Sequence, residues 1–559
     1  MKQKVKNHLR HKRNLTVAGV HETTAEYILH HLTDNMSPAD HIESLTVLYV
    51  EKRFTGVAGV TVTAAGLSST NVSYNEQLQK ALVGDSLKPF PCIWSAQKKA
   101  KELINVGSSS VNIVIKSGYT VTIGSPTTTQ NGNTNLTPGV NEASDIRIAN
   151  VDNDFKALSL AQHGINYIFE QNTQIINICK SYNIPFIRID KQVGGVTVDW
   201  TEHRTNIFGK AQFKWLYGQG DGFHVSAFQI YGVPGLKMKF EADLMLMNMW
   251  ITGVILDYTD LHINWDKYWT YDNTLILRSS SDWETNGLTR PLLRLDVRDW
   301  RRGKNLFTGL TPAAADYWGG LRLDSAFGAD ALVNIDRWSI NDQGTADGSL
   351  FRMDGFAVAK NNYILINVKK FEHYMSAGAN QVTSGAIRYH TTSNGDATKI
   401  TQSTNNHFLF LVAEAFTHVP IGQSLWSIGL LAGMCNSSFT LKVSGRWYNL
   451  SNVNPAIQPK LSYWGPEMRN QVTISGEFIS VNGSVLVAAG GASGLNTDSI
   501  ACAFRDCVFI QKTAGKNVMT LNSITDDWNI SLNHVTLIND GVTEAISKTD
   551  GTIQVLFSN

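Results

Sequence analysis

One pattern constrains this chain more than any other: apolar-x-apolar, two polar residues, then apolar-x-apolar. Its clearest copies are Phe223, Val225, Phe228, Ile230; Val333, Ile335, Trp338, Ile340; Cys502, Phe504, Cys507, Phe509; and Ile530, Leu532, Val535, Leu537. Partial copies begin near Ile113, Ile146, Ile187, Ile263, Leu295, Ile366, Leu409, Leu441 and Val472. Successive starts fall roughly 28 to 43 residues apart, the range in which internal periodicity marks solenoids, propellers or arrays. Each copy reads as two short strands whose alternate side chains turn inward, separated by a two-residue polar corner that redirects the chain. A full circuit then needs a third strand and looser turns. One circuit cannot bury its own inner face, so circuits stack and each backbone finds hydrogen bonds in the circuits above and below. The expected fold is all-β: a right-handed parallel β-helix. Uneven spacing argues against propeller blades and leucine-rich repeats, and a two-sheet sandwich array is the alternative.

Composition agrees with a turn-rich β chain. Fourteen tryptophans and 45 glycines accompany 13 prolines, and helical spacing is scarce after Ile104. Basic residues (48) nearly cancel acidic ones (47), which removes the clustered positive charge that a general nucleic-acid binder needs. Lys2, Lys4, Lys6, Arg10, Lys12 and Arg13 form a basic arm with no apolar stretch of signal or membrane length after it. A soluble, unprocessed chain is expected, with no membrane or specific nucleic-acid partner. The five cysteines, Cys92, Cys179, Cys435, Cys502 and Cys507, form no C-x-x-C, so folding in a reducing cytoplasm without metal or cofactor is the simplest expectation.

Two regions are expected, 1–86 and 87–559. In the first, Ser37-Pro38 followed by an apolar-periodic run to about Val50 predicts a capped helix, and Thr55 to Leu67 reads as strand. In the second, Ile93, Ala96, Gln97, Ala100, Leu103 and Ile104 recur at helical spacing, predicting a helix over about 91–104 that closes the open end of the stack. The strand Val111 to Ile115 follows. At the far end Thr552 to Leu556 reads as strand with no plug beyond it, so a partner chain is expected there.

The Ala96/Ala100 helix, the strand Val111 to Ile115, the Gly118-Tyr119 turn and corners such as Ser531 to Asp540 resemble those of bacteriophage tailspike and tail-fibre proteins with a pectate-lyase-like β-helix. The resemblance runs from about Leu87 to the end. It implies a homotrimer, a virion tail location after assembly in the host cytoplasm, and an N-terminal region fastened to other tail proteins. It also implies a β-helix that meets a host-surface polysaccharide. The basic arm would then dock on an acidic face of a neighbouring virion protein.

The search for chemistry finds no phosphate-binding, zinc-protease, nucleophile-elbow or calcium-loop motif. Cys502 and Cys507 occupy inward slots and read as core. The segment Asp257 to Asp324 interleaves acids with aromatics, the residue types that hold sugars. Asp266 and Asp299 sit at polar corners of consecutive coils; at about 4.8 Å per coil they could flank a glycosidic bond, which needs two carboxyl groups about 5 Å or more apart. They are the catalytic candidates. The same corners read Asp266-Lys267, Arg298-Asp299, Asp336-Arg337 and Lys369-Lys370, so a ladder of surface ion pairs is the competing account. Trp265, Tyr268, Trp300 and Trp338 fall at inward slots. Trp200, Trp215, Trp269, Tyr271, Trp283 and Trp318 are candidates for glycan contact or for a subunit interface. The expected function is structural attachment and host-surface recognition, not catalysis; a polysaccharide depolymerase on the same scaffold is the alternative.

Overall fold

The structure, a computed structural model, describes residues 45–51, 89–90, 93–105, 110–123, 164–177, 187–189, 192–193, 196–197, 205–216, 226–230, 237–247, 251–255, 260–270, 274–278, 291–303, 306, 320–323, 328–342, 351–353, 359–375, 387–389, 404–418, 428–430, 436–450, 456–461, 471–490, 500–521, 528–539, 545–548 and 553–558. The architecture is all-β and parallel, as a β-helix requires. One hairpin, Gln192–Val193 with Val196–Thr197, is antiparallel. Two units are distinguished: Met1–Met247 with Thr259–Lys267, and Asn248–Tyr258 with Tyr268–Asn559. The strand Asp260–Thr270 contributes to both.

In the first unit the ladder starts earlier than the sequence suggests. Leu45–Val50 is a strand paired in parallel with Ser110–Ile115, where a capped helix is expected. Its sequence, Leu-Thr-Val-Leu-Tyr-Val, is β-branched and aromatic, and a full parallel partner outweighs the local helix signal. The stack therefore begins inside the segment 1–86, while Ser37-Pro38 and Thr55 to Leu67 lie outside the described residues. The helix Ile93–Asn105 stands where its spacing puts it. Ile93, Ala96 and Ala100 are fully buried, and the helix rests on Leu45–Val50, Ser110–Ile115 and Ile165–Phe169. Two alanines on the buried face let its axis approach the strands closely. The Tyr167 hydroxyl donates to Gln97 Oε1 at 2.8 Å, satisfying a buried amide.

Above the helix, each long edge of a coil is a pair of strands that merge along the chain. Ser110–Ile115 and Thr120–Ile123 are joined through Lys116 to Tyr119, and Ile165–Phe169 and Gln174–Asn177 through Glu170 to Thr173. Asn206–Gly209 and Gln212–Trp215 are separated by Lys210 and Ala211 alone, and Lys237–Met247 is continuous. The shorter strands Ile187–Ile189 and Ser226–Ile230 pair with each other on a second sheet. The repeat expected at Ile187 and the described part of the one expected at Phe223 to Ile230, Ser226–Ile230, therefore belong to that sheet, and the long-edge copy is Met238, Phe240, Ala242, Met245 and Met247, all buried. Buried Asn112, Asn166 and Asn206 form a ladder: each Nδ2 of Asn166 and Asn206 donates to the Oδ1 one coil before it, at 3.0 and 2.8 Å.

The second unit repeats more regularly. Its long strands include Leu292–Arg302, Asp330–Asp342, Tyr363–Met375, His407–His418, Ser438–Asn449, Gln471–Ser480, Ile500–Gln511 and Trp528–Asn539, paired in parallel, with the register shifting between Val412 and Ala415, between Lys442 and Arg446 and between Ile474 and Gly476. Short strands from Ile251–Ile255 to Ile546–Lys548 form the second sheet. Sequence intervals between stacked partners are uneven, 33, 44 and 31 residues across three successive coils. Coils absorb that unevenness in their loops. Val333, Ile335, Trp338 and Ile340, and likewise Cys502, Phe504, Cys507 and Phe509, are buried as the repeat demands. Burial pushes both thiols up to about 12, so they are core groups.

Inward residues past the corners, paired from coil to coil, build an aromatic column. Tyr268, Trp300, Trp338 and Phe371 follow one another with ring centroids 4.8, 5.0 and 6.1 Å apart. Ala415 comes next in register, and Phe371 and Trp447 meet across it at 5.3 Å. Phe478 and Phe509 continue the column at 6.2 and 5.8 Å. At the turn before the long strands the chain adopts a left-handed conformation at Gly328, Asn361, Asn405 and Asn436. Asparagine tolerates that conformation better than other side-chain-bearing residues. The next residues, Asn362, Asn406 and Ser437, are buried and linked: Asn362 Nδ2 donates to Asn406 Oδ1 at 2.8 Å and the Asn406 amide to Ser437 Oγ at 3.1 Å.

Trp338 has ring neighbours on both sides, so Trp338→Ala is expected to cost about 3–5 kcal/mol. Ala415→Leu, which forces extra carbons between Phe371 and Trp447, is expected to cost about 1–3 kcal/mol. Chemical denaturation of both variants beside exposed Asn367→Ala, expected to stay within about 0.5 kcal/mol of the parent, checks the column.

Candidate functional site

Among the described residues, the outward row just past the corners of the second unit carries a cluster of charged and aromatic side chains. Strand alternation buries Trp300, Phe371, Ala415 and Trp447 and turns their neighbours Arg301, Glu372, Phe416 and Tyr448 out. Asp299, Arg337, Lys370 and Glu414 stand in register one position earlier, at the corner itself. Arg301 Nε donates to Asp299 at 2.9 Å to Oδ1 and 2.8 Å to Oδ2, and Trp269 Nε1 donates to Oδ2 at 3.2 Å. The Arg301 guanidinium lies 5.4 Å from the Trp269 ring centroid, a cation–π contact. Further along the row, Arg337 and Lys370 both bind Glu372, at 2.7 and 2.9 Å. Burial of Glu372 works against its charge, yet the hydrogen bonds from Lys370 and Arg337 outweigh it and hold its pKa below the usual carboxylate range. Phe416 and Tyr448 stack at 5.0 Å and 6°, Lys370 sits 5.6 Å from the Phe416 ring, and Arg446 pairs with Glu477 at 3.0 Å.

Of the expected ladder of corner charges, Lys369 on Asp336 at 2.7 Å is the rung that joins two corners, while Arg337 and Lys370 pair with Glu372 past the corner. Exposed pairs of this type contribute about 0.2–1 kcal/mol each. Asp299, a catalytic candidate, is only 9% exposed and accepts bonds on both oxygens. It anchors Trp269 and Arg301 and is poorly placed to exchange protons with a ligand. Asp266, the other candidate, is half-buried at a corner assigned to the first unit.

Trp269 is part-exposed on the outer row, consistent with a ligand-contact role. Trp215 is the correction: at 1% exposure its ring lies inside the first unit, the last residue of Gln212–Trp215 in register with buried Met247. Its position in the alternation Phe213, Trp215 places it inward. Trp200, Tyr271, Trp283 and Trp318 lie outside the described residues, as do Lys2, Lys4, Lys6, Arg10, Lys12 and Arg13. Trp265, Tyr268, Trp300 and Trp338 are core, as expected.

A second cluster in the first unit has no counterpart in the sequence reading. Gly209 adopts φ +102, and a Cβ there would come within 2.0 Å of the Phe169 carbonyl oxygen, so only glycine fits. Its amide donates to Glu241 Oε2 at 3.1 Å. Glu241 turns outward between Phe240 and Ala242, both buried. Burial pushes its carboxyl up to about 7, against the Gly209 hydrogen bond and the electrostatic pull of His262, which both act downward. Asp243, two residues on, accepts from Gln212 Nε2 at 3.5 Å. A carboxyl that titrates near neutrality on an outer face can give or take a proton at physiological pH. The signal that could have found it was the copy Met238, Phe240, Ala242, Met245, Met247, which leaves Glu241 and Asp243 as its polar alternates.

Among the described residues no group of three or more His, Cys, Asp or Glu could hold a metal ion, and no helix is long and apolar enough to cross a membrane. Comparisons with protein-family models, with curated proteins and with solved structures find no match to this chain.

Because the folded state raises the Glu241 pKa above its ordinary value of 4.5, the folded chain binds more protons than the unfolded one between about 4.5 and 7. Stability from this group is greatest at low pH and falls as pH rises through that window. Glu241→Gln is expected to match the parent near pH 4.5 and to exceed it by on the order of 2–3 kcal/mol above pH 7.5. Denaturant titrations at several pH values check this.

Proposed function

We propose that this protein is a phage tail spike or fibre component that attaches to a host-surface polysaccharide along the outer row past the corners of its second unit. The observation that carries the reading is the Phe416–Tyr448 stack, flanked by Lys370 and Arg446. Sugars present apolar C–H faces that pack against aromatic rings, while fixed charged groups beside the rings hydrogen-bond the hydroxyls. Trp269, with Arg301 and Asp299, repeats this chemistry on an earlier coil. Coils recur at about 4.8 Å, so such a row suits an extended polymer better than a single small molecule. In this reading the chain works as a homotrimer in the virion tail, assembled in the host cytoplasm. Residues 1–86 dock it on other tail proteins, with the basic arm against an acidic neighbour.

Enzymatic depolymerisation is the second reading, and one observation favours it: Glu241, with a carboxyl near 7, has the property of a general acid. The engaged state of Asp299 points away from the acid pair expected from sequence.

Incubation with capsule polysaccharide separates the readings. Retention of the protein on unshortened polymer, weakened at least about tenfold, or 1.4 kcal/mol, by Phe416→Ala with Tyr448→Ala, supports recognition. Progressive shortening that stops in Glu241→Gln supports the depolymerase. Neither retention nor shortening on capsule from any susceptible host would remove the glycan reading.

A further inference from the structure

We propose that Ser438 and His407 form a nucleophile and general-base pair that hydrolyses carboxylate esters. This activity goes beyond glycan attachment and does not depend on it. The two residues are register partners at the start of consecutive long strands, on the outward side. His407 Nδ1 and Ser438 Oγ are 2.9 Å apart. With the imidazole in its Nε2–H tautomer, Nδ1 accepts the hydroxyl hydrogen, the arrangement that activates a serine.

The scaffold presents this pair ready-made. His407 and Ser438 each follow a left-handed asparagine turn, Asn405-Asn406 and Asn436-Ser437. Their backbone amides donate to Asn362 and Asn406 carbonyls, both at 2.8 Å, so neither needs the side-chain bond to complete its strand. The Tyr363 ring stacks on the imidazole at 4.9 Å and 25°, setting its plane. Tyr363 is itself 53% exposed, so a ligand can reach this end of the sheet. Asp330, Tyr363, His407, Ser438 and Gln471 align along one row. Gln471, exposed and in register with Ser438, and Asn436, exposed two residues before it, are side-chain amides that could stabilise an oxyanion. The sheet's own N–H groups are used in its ladder, so turnover slower than that of a hydrolase with a backbone oxyanion hole is expected.

In the reaction Ser438 Oγ bonds to the ester carbonyl carbon while its proton passes to His407 Nδ1. The carbon–alkoxy bond breaks and the leaving alcohol takes that proton. Water then attacks the acyl-serine, giving a proton to His407, and the acid departs as Ser438 regains its hydrogen. No oxidant, reductant or further reactant is needed.

The test uses the full chain with p-nitrophenyl acetate, which carries no sugar, so its outcome is separate from that of the polysaccharide experiment. Hydrolysis above buffer is expected, lowered about 100-fold or more in Ser438→Ala and in His407→Phe, which keeps a ring against Tyr363. On the unmodified chain, a fluorophosphonate is expected to add to the peptide containing Ser438, a readout independent of how the variants fold. Hydrolysis no faster than buffer, variants as active as the parent, or a label confined to other peptides would overturn the proposal.

Discussion

Register is the constraint on which everything else depends. In a parallel stack each residue stands directly over its counterpart one coil away, about 4.8 Å distant, and faces the same way. Whatever a position is in one coil, its neighbours must be able to tolerate in the next. Asn112, Asn166 and Asn206 can pass hydrogen bonds along one line only because they share a register. Tyr268, Trp300, Trp338, Phe371, Trp447, Phe478 and Phe509 form a column for the same reason. Ala415 is the informative member. Its small side chain leaves the room in which rings from the coils on either side meet.

The same rule sorts the outer surface. A residue beyond the corner turns to the outer side of the sheet, so charges of neighbouring coils fall beside one another and can pair, as Arg337 does with Glu372. Local turn chemistry recurs among the described residues: a left-handed residue precedes the long strands that begin at Asp330, Tyr363, His407 and Ser438. Loop length is free, and the intervals between stacked partners vary from 54 residues near the start to 31 later. Variation of that size is compatible with a stack whose hydrogen bonds run between coils and not through loops.

This division explains what the sequence could disclose. The second unit was legible where its corners are two residues long, as between Ile335 and Trp338, while the register shifts that Ser438–Asn449 and Gln471–Ser480 introduce leave no mark on that pattern. Four-residue corners at Lys116 to Tyr119 and Glu170 to Thr173 interrupt it in the first unit, where the partial copy at Ile113 lies on a long strand and those near Ile187 and Phe228 lie on short ones. Leu45–Val50 carries a helical signal in its sequence yet is a strand, because pairing with Ser110–Ile115, distant in sequence, decides its state. At the candidate sites, alternation alone marked Trp300 and Trp338 as core but did not reveal that Trp215 is equally buried. Neither could it show that Asp299 is held by Trp269 and Arg301, that Glu241 is covered enough to titrate near neutrality, or that Ser438 meets His407. Each of those facts joins residues from different coils, and register between coils is invisible until the stack is assembled.

The most direct test of this account is a disulfide ruler across two coils. Asn334 and Asn367 are outward register partners, and the separation of neighbouring strands matches the Cα spacing of a disulfide, about 4.4–6.8 Å. Asn334→Cys with Asn367→Cys should cross-link on mild oxidation, read by peptide mapping, while Asn334→Cys with Lys369→Cys, offset by two residues, should not. A link in the offset pair and none in the aligned pair would contradict the register, and with it the placement of the aromatic column and both outer clusters.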